Sequence, residues 1–478
     1  MPPETFTIAI DQGTTGTKAH RLRADGTFET IASFEHRQIY PQPGWVEHDP
    51  EELAAHVESA LAQAQGVAAI GIANQGETVI AWDAETKRPI HNAIVWQDAR
   101  TADATERLKA DGAEELTLDI AGLPLDPYFS AAKLRWLLDN VPEAGSLHSA
   151  GRLRFGTSDS FFLDRLTGTF ATDVTTASRT SLMNLETLQW DQRLADLFGV
   201  PIDCLPEIRP TAGLFGEAHG IPVTASLVDQ QAALFGHGCR RKGDAKITFG
   251  TGAFALAVAG DTVPRDPDSG LEATIAWKIG DAPCAYALQG GIYNAASAVN
   301  WARSLGLFTD YTEIDDFAGE SAIARSLVFV PALSGLSCPY WDRRAAGLWV
   351  GMGLETTRAD MMQALLEGVA LLAERVMAAI GRLSPLAPTL SVDGGLTRNR
   401  YFTRFLADAM HKGIRVPSSP ELTGLGAAQL AMIGAGLGGL DTLPPSPPPK
   451  AEIAPAAPLS TELRAHFAEA VARSRNWR

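Results

Sequence analysis

Residues 8–22 read IAIDQGTTGTKAHRL, an apolar strand that ends at Asp11, a run of Gly and Thr, and a second, more polar strand. Gly and small polar residues are what a tight hairpin turn needs. The same composition also suits a phosphate cradle, because glycines let backbone N–H groups approach an anion and threonines add hydroxyl donors. In that second reading Gly13, Thr14 and Thr15 contact phosphate, Lys18 adds positive charge, and Asp11 holds a magnesium ion directly or through water. The choice between the two readings depends on the rest of the chain.

Moving outward, HRLRADGTFETIASFEHR (20–37) reads as two strands about a turn at Asp25-Gly26. DPEELAAHVESALAQAQG (49–66) reads as an amphipathic helix with Asp49 as cap, Pro50 in the first turn, and Leu53, Val57 and Leu61 on one face. VAAIGIANQ (67–75) is a continuous apolar strand. Hairpin, helix and buried strand in that order indicate an α/β domain. A related pattern returns in AKITFGTGAFALAVAG (245–260), again strand, Gly/Thr turn, strand. The likeness suggests an internal repeat, two similar domains each offering a Gly/Thr hairpin to a shared cleft.

The chain has 478 residues, enough for two domains. Its net charge of −16 argues against non-specific nucleic-acid binding, which needs excess Lys and Arg. Cys204, Cys239, Cys284 and Cys338 form no CxxC pair, so reduced thiols are expected rather than a metal site or disulfide framework. The start, MPPETFTIAID, has no leader pattern, and no window reaches the roughly 18 apolar residues that span a membrane. A cytoplasmic protein without membrane or nucleic-acid partners is expected.

Three further segments complete the pattern. PVTASLVDQQAALFGHG (222–238) ends a strand at Val228 and puts Asp229 at a helix entrance, either as a plain N-cap or as a cleft carboxylate able to act as a base. LSVDGGLTRNRYFTRFLADAMHKGIRV (390–416) reads as a strand to Asp393, a Gly394-Gly395 turn, and a helix whose face carries Phe402, Phe405, Leu406 and Met410. SSPELTGLGAAQLAMIGAGLG (418–438) is a small-residue helix. The Pro-rich 443–460 is an extended surface segment, and the chain closes on a terminal helix. Gln75, Glu77, Trp96, Asp98, Arg100 and Tyr128 follow buried strands or loops. Each also has an ordinary structural reading, a core Trp or a local Asp98–Arg100 ion pair among them. A dinucleotide dehydrogenase is the weaker reading, because the first Gly turn joins two strands instead of opening a helix as that fingerprint requires.

Taken together, AIDQGTTGTKA, NQGETVIAWDAETKRPIHNAIVWQDART, AGLPLDPYFSAAKLRWLLDN, TDVTTASRTSL, LVDQQAALFGHG, TFGTGAF, CPYWDRRAAG and VDGGLTRNRYFTRFLAD occur in one order over residues 6 to 440. In these stretches the chain resembles the FGGY family of carbohydrate kinases, above all its glycerol-phosphorylating members. The resemblance implies an α/β fold of two tandem actin-like, ribonuclease H-type domains, here 1–237 and 238–478, with a central nucleotide and substrate cleft. It implies an ATP- and magnesium-dependent kinase acting on a terminal hydroxyl of a small polyol, glycerol or a close analogue. The alternatives are a family kinase for a longer polyol or a ketose (erythritol, xylulose, ribulose) and a non-catalytic ATP-binding actin-like module.

Carried over by position, Asp11 would organise the metal, and Gly13, Thr14, Thr15 and Lys18 would face ATP phosphates. Thr251 and Gly252 would touch phosphates, and Gly395 and Asn399 the sugar or base. Glu77, Trp96, Tyr128, Asp229, Gln230 and Phe254 would bind the polyol, with Asp229 as general base. A homodimer or homotetramer is implied as well. Gly76 is a departure, standing where the family has Arg. It removes a donor, which costs about 1.5–3 kcal/mol when the donor is charged, and is expected to leave room for a longer substrate.

Overall fold

A computed structural model describes residues 6–64, 66–444 and 447–478. The reading of residues 1–5 as lacking a leader, and residues 445 and 446 of the Pro-rich segment, lie outside the described residues.

The opening stretch folds as β1 (Phe6–Gln12) and antiparallel β2 (Gly16–Arg23), with Asp11 opposite Lys18. β3 (Phe28–Glu35) extends the hairpin and passes so close that a Cβ on Gly16 would lie 2.6 Å from the Phe34 carbonyl oxygen. The expected helix is α1 (Pro50–Leu61), where the Asp49 carboxylate accepts the Glu51 N–H at 2.9 Å and Leu53, Val57 and Leu61 are buried. β4 (Ala69–Asn74) is buried at every position and runs parallel to β1; β5 (Ile221–Val228) runs parallel to β4. The first sheet is therefore ordered β5-β4-β1-β2-β3, with the short strand Glu217–Ala218 on its outer edge.

The second half repeats this plan. β6 (Ala245–Phe249) and β7 (Ala253–Gly260) form the second hairpin, and β8 (Ala285–Ile292) pairs antiparallel with β7. β9 (Thr389–Gly394) and β10 (Gly413–Val416) follow in parallel on the other side of β6. The order β8-β7-β6-β9-β10 matches the first sheet strand for strand. Two edge strands are added: Glu272–Trp277 beside β8 and Ala451–Ile453 beside β10. The latter lies inside the Pro-rich segment, which is thus partly sheet.

Helix α2 (Asp229–Gly236) leaves β5. α3 (Arg358–Leu383) packs on the second sheet, and α4 (Arg400–Met410) buries Phe402, Phe405, Leu406 and Met410 as its pattern predicts. α5 (Leu422–Gly434) is apolar on nearly every side, which requires burial all round. It lies across β1, β4 and β5 and crosses α2 between the lobes. Ala9, Ala73 and Leu227 from the first sheet, Leu256 and Ala287 from the second, and Leu430 from α5 share one apolar cluster. The four cysteines are free, and no helix among the described residues is long and apolar enough to cross a membrane.

Candidate active site

Parallel strands end together. Gln12 of β1 pairs with Asn74 of β4, and Asn74 with Val228 of β5. The residues at or just past those ends, Asp11, Gly76, Glu77 and Asp229, therefore meet at one edge of the first sheet, where α/β sheets bind ligands. In the second sheet Phe249 pairs with Gly394, which sets the Gly250–Gly252 turn beside Gly395.

Asp229 is the first residue of α2. The N-cap is Val228, which has no side chain able to cap, so the plain-cap reading does not apply. Burial, and next the charge of Glu77, push the Asp229 carboxyl up to about 7, against the pull of Lys246. Burial also pushes Asp11 up to about 7, helped by the charges of Asp229 and Glu421 and opposed by Lys18. Excess negative charge gathers here, and the groups that carry it are hard oxygen donors, which fits a magnesium ion at Asp11. Asp11, His20 and Glu421 each offer one ligand atom, all within 4.8 Å of one another. Lys18, expected at the phosphates, grips both carboxylate oxygens of Glu421 at 2.7 and 2.9 Å.

Glu77 holds an unusual backbone conformation, φ +60°, in which non-glycine residues are strained. Its carbonyl accepts from Ser130 Oγ and Lys133 Nζ, each at 3.3 Å, and its carboxylate accepts from Arg179 Nε at 2.6 Å. The rings of Trp96, Tyr128 and Phe254 come together. Trp96 meets Tyr128 edge-on at 5.6 Å and Phe254, from the other lobe, at 6.3 Å. The Trp96 indole N–H donates to Thr14 Oγ1 at 2.9 Å and so ties the wall to the first hairpin turn. Gln230 accepts from the buried Lys246 ammonium at 2.6 Å.

The space expected beside Gly76 is not empty at the backbone. A Cβ there would lie 2.7 Å from Val228 Cγ2, so Val228 fills the volume next to the α-carbon. Gly13 donates its N–H to the Gly16 carbonyl at 3.0 Å, and the Thr15 carbonyl accepts from the His36 N–H. Thr251 is exposed, and a Cβ on Gly252 would fall 2.5 Å from the Ile292 carbonyl oxygen. Gly395 opens a 3-10 turn with free space at its α-carbon. Asn399 is the N-cap of α4: its Oδ1 accepts the Phe402 N–H at 2.7 Å and its amide donates to the Ile314 carbonyl at 2.7 Å. Its side chain is thus engaged structurally. Asp98 and Arg100 form the local ion pair at 2.8 Å, and Arg100 also reaches Glu47 at 2.6 Å.

Several site groups carry no local signal in the sequence. Lys246 sits mid-strand and Glu421 precedes a helix. Arg179, bridging Glu77 and Glu272 at 2.6 Å each, lies within TDVTTASRTSL without any motif of its own.

Family comparison agrees with this architecture. The model of the FGGY family of carbohydrate kinases matches through its N-terminal domain over residues 6–236 and its C-terminal domain over 245–435. The chain is 40% identical to a glycerol kinase from Haloferax volcanii over 100% of its own length and 99% of the relative's. It is 42% identical to one from Koribacter versatilis over 90% of each. Among solved structures, Plasmodium falciparum glycerol kinase with ADP superposes with a TM-score of 0.90 at 32% identity, over 98% of both chains. A xyloylose kinase from Brucella ovis gives 0.85 at 25% identity, again over 98% of both. The chain belongs to the FGGY family of carbohydrate kinases and is a phosphotransferase with that family's two-lobed fold.

Proposed function

We propose that this kinase transfers the γ-phosphate of ATP to a terminal hydroxyl of glycerol. The reading is carried by Asp229, a carboxylate that does not cap its helix, is raised to about 7 by burial and Glu77, and stands at the strand ends beside Asp11. The curated relatives named glycerol kinase support glycerol over a longer polyol, and Val228 beside Gly76 removes one argument for a widened pocket.

In the proposed reaction the polyol lies against Trp96, Tyr128 and Phe254, with Glu77 and Gln230 accepting from or donating to its hydroxyls. Asp229 takes the proton of the attacking hydroxyl as its oxygen bonds to the γ-phosphorus. The bond from that phosphorus to the bridging oxygen breaks, and ADP leaves. The Gly13 N–H closes its own turn on the Gly16 carbonyl, so the Thr14 and Thr15 backbone N–H groups and those of the Gly250–Gly252 turn hold the phosphates, and Gly395 flanks the nucleoside. Asp11 would hold a magnesium ion, which when bound offsets phosphate charge. Lobe closure excludes water and limits hydrolysis.

The test is ADP release with MgATP and a panel of glycerol, erythritol, ribitol, xylitol, xylulose, ribulose and dihydroxyacetone. Highest kcat/KM on glycerol is expected. A preference for a longer polyol or a ketose would overturn glycerol and leave the kinase reaction standing.

A further inference from the structure

Arg179 is 1% exposed and lies between carboxylates of the two lobes. Its Nε donates to Glu77 Oε1 and its Nη2 to Glu272 Oε2, both at 2.6 Å, and Gln289 donates to the same Glu272 oxygen at 3.1 Å. Burial alone would lower its pKa; Glu272 and Glu77 more than offset this and hold the guanidinium charged. Its third nitrogen, Nη1, is buried and has no hydrogen-bond partner among the described residues. A buried charged donor left unpaired is costly, and such a group in a native fold calls for an explanation. The guanidinium carbon stands 5.9 Å from the Tyr128 ring and 5.3 Å from that of Phe129, so it borders the aromatic wall of the candidate polyol site.

A polyol hydroxyl can accept from such a donor. Gly76 has no side chain to give, and Val228 blocks one from being added. Two other basic groups of this lobe are engaged elsewhere. Arg100 is paired with Asp98 and Glu47 and stacked on Trp45, while His48 bonds to Gln38 and Gln75.

We propose that Arg179 binds substrate directly, its Nη1 donating to the polyol hydroxyl that Glu77 also contacts. This rests on the polyol-kinase reading above.

The test deletes the donor and the hydroxyl in turn. Binding of glycerol, 1,2-propanediol (one terminal hydroxyl missing) and 1,3-propanediol (central hydroxyl missing) is measured by calorimetry on the full-length protein and on Arg179→Met. Wild type is expected to bind glycerol more tightly than both diols. Arg179→Met is expected to weaken glycerol about tenfold or more and to lose the discrimination against one diol, with ADP affinity unchanged. Equal weakening of all three ligands, or no weakening, overturns the proposal and leaves the kinase reading intact. Wild-type protein that binds none of the three overturns both. If Arg179→Met does not fold, Arg179→Lys is used instead: its shorter, single ammonium keeps a charge between Glu77 and Glu272 but removes the separate Nη1 arm, so lost discrimination against one diol supports the proposal and wild-type discrimination overturns it.

Discussion

Asp229 and Gly76 are the two positions at which the proposed chemistry of the cleft is most directly tested. The Asp229 carboxyl is buried beside Glu77, so the protonated form persists to about pH 7. In the proposed mechanism only the ionised form is a competent base, and Asp229→Asn keeps the shape while removing that carboxylate. That variant is expected to fold and bind ADP normally while kcat falls by about 10²- to 10⁴-fold in a coupled assay. Full activity would remove Asp229 as the base. The same carboxylate gives a pH signature in protein free of metal and nucleotide. A raised carboxyl is neutral below its pKa and ionised above it, so polyol affinity should strengthen as pH rises through about 7. Calorimetry at a series of pH values checks this, and the Asn variant should lose the part of the pH dependence due to Asp229. At Gly76 the constraint is steric. Gly76→Ala puts a methyl group 2.7 Å from Val228 Cγ2 and is expected to cost about 1–3 kcal/mol in denaturant unfolding. Val228→Ala in the same chain should recover most of that loss, and a purely additive double variant would refute the contact. Asp229 was legible in the sequence because a strand, an acid and a helix are adjacent there. Arg179 was not, because its partners lie 102 and 93 residues away and only the folded chain brings them together.

At the scale of elements, the two hairpins, α1, α4 and the terminal helix (Thr461–Ser474) follow from local periodicity and capping, and so could be read directly. The placement of α5 could not. Its apolar surface says only that it is buried; the choice of the first sheet depends on glycines matched to carbonyls. A Cβ on Gly426 would lie 1.9 Å from the Ala232 carbonyl oxygen, and one on Gly236 would lie 2.0 Å from that of Leu422. The backbones of α2 and α5 touch at this crossing, which only glycine permits. Gly426→Ala is therefore expected to force the helices apart and to cost at least about 1–3 kcal/mol by denaturant unfolding. Gly145→Ala, in the helix Pro142–Ser149 with nothing among the described residues within 4 Å of the new methyl, is the control. It should be neutral or stabilising by up to about 1 kcal/mol. Equal effects at both sites would show that the crossing tolerates separation. The edge strand Ala451–Ile453 escaped the sequence for a related reason: it exists only by pairing with β10.

The whole molecule is two copies of one sheet plan joined where α2 meets α5, with the candidate site between them. The repeat was visible in two Gly/Thr turns, but the contacts that set the lobes against each other on the polyol side were not. The Ala273 N–H donates to the Gly122 carbonyl at 3.0 Å, Arg265 reaches Asp119 at 2.6 Å, and Arg343 reaches the buried Asp126 at 2.8 Å. Each of these links 119–126 of the first lobe to the second, and Tyr128 of the wall follows immediately in sequence. Loosening this seam should therefore act on substrate and water exclusion before it acts on stability. Arg343 is half-exposed, so its ion pair contributes about 1 kcal/mol or less to folding. Arg343→Ala is expected to leave the unfolding midpoint nearly unchanged, raise the polyol KM several-fold, and increase ATP hydrolysis without polyol relative to transfer. Steady-state kinetics with and without polyol read both effects. Unchanged KM and unchanged hydrolysis would mean that the α2–α5 crossing alone sets the lobes, and that the seam beside Tyr128 plays no part in shaping the site.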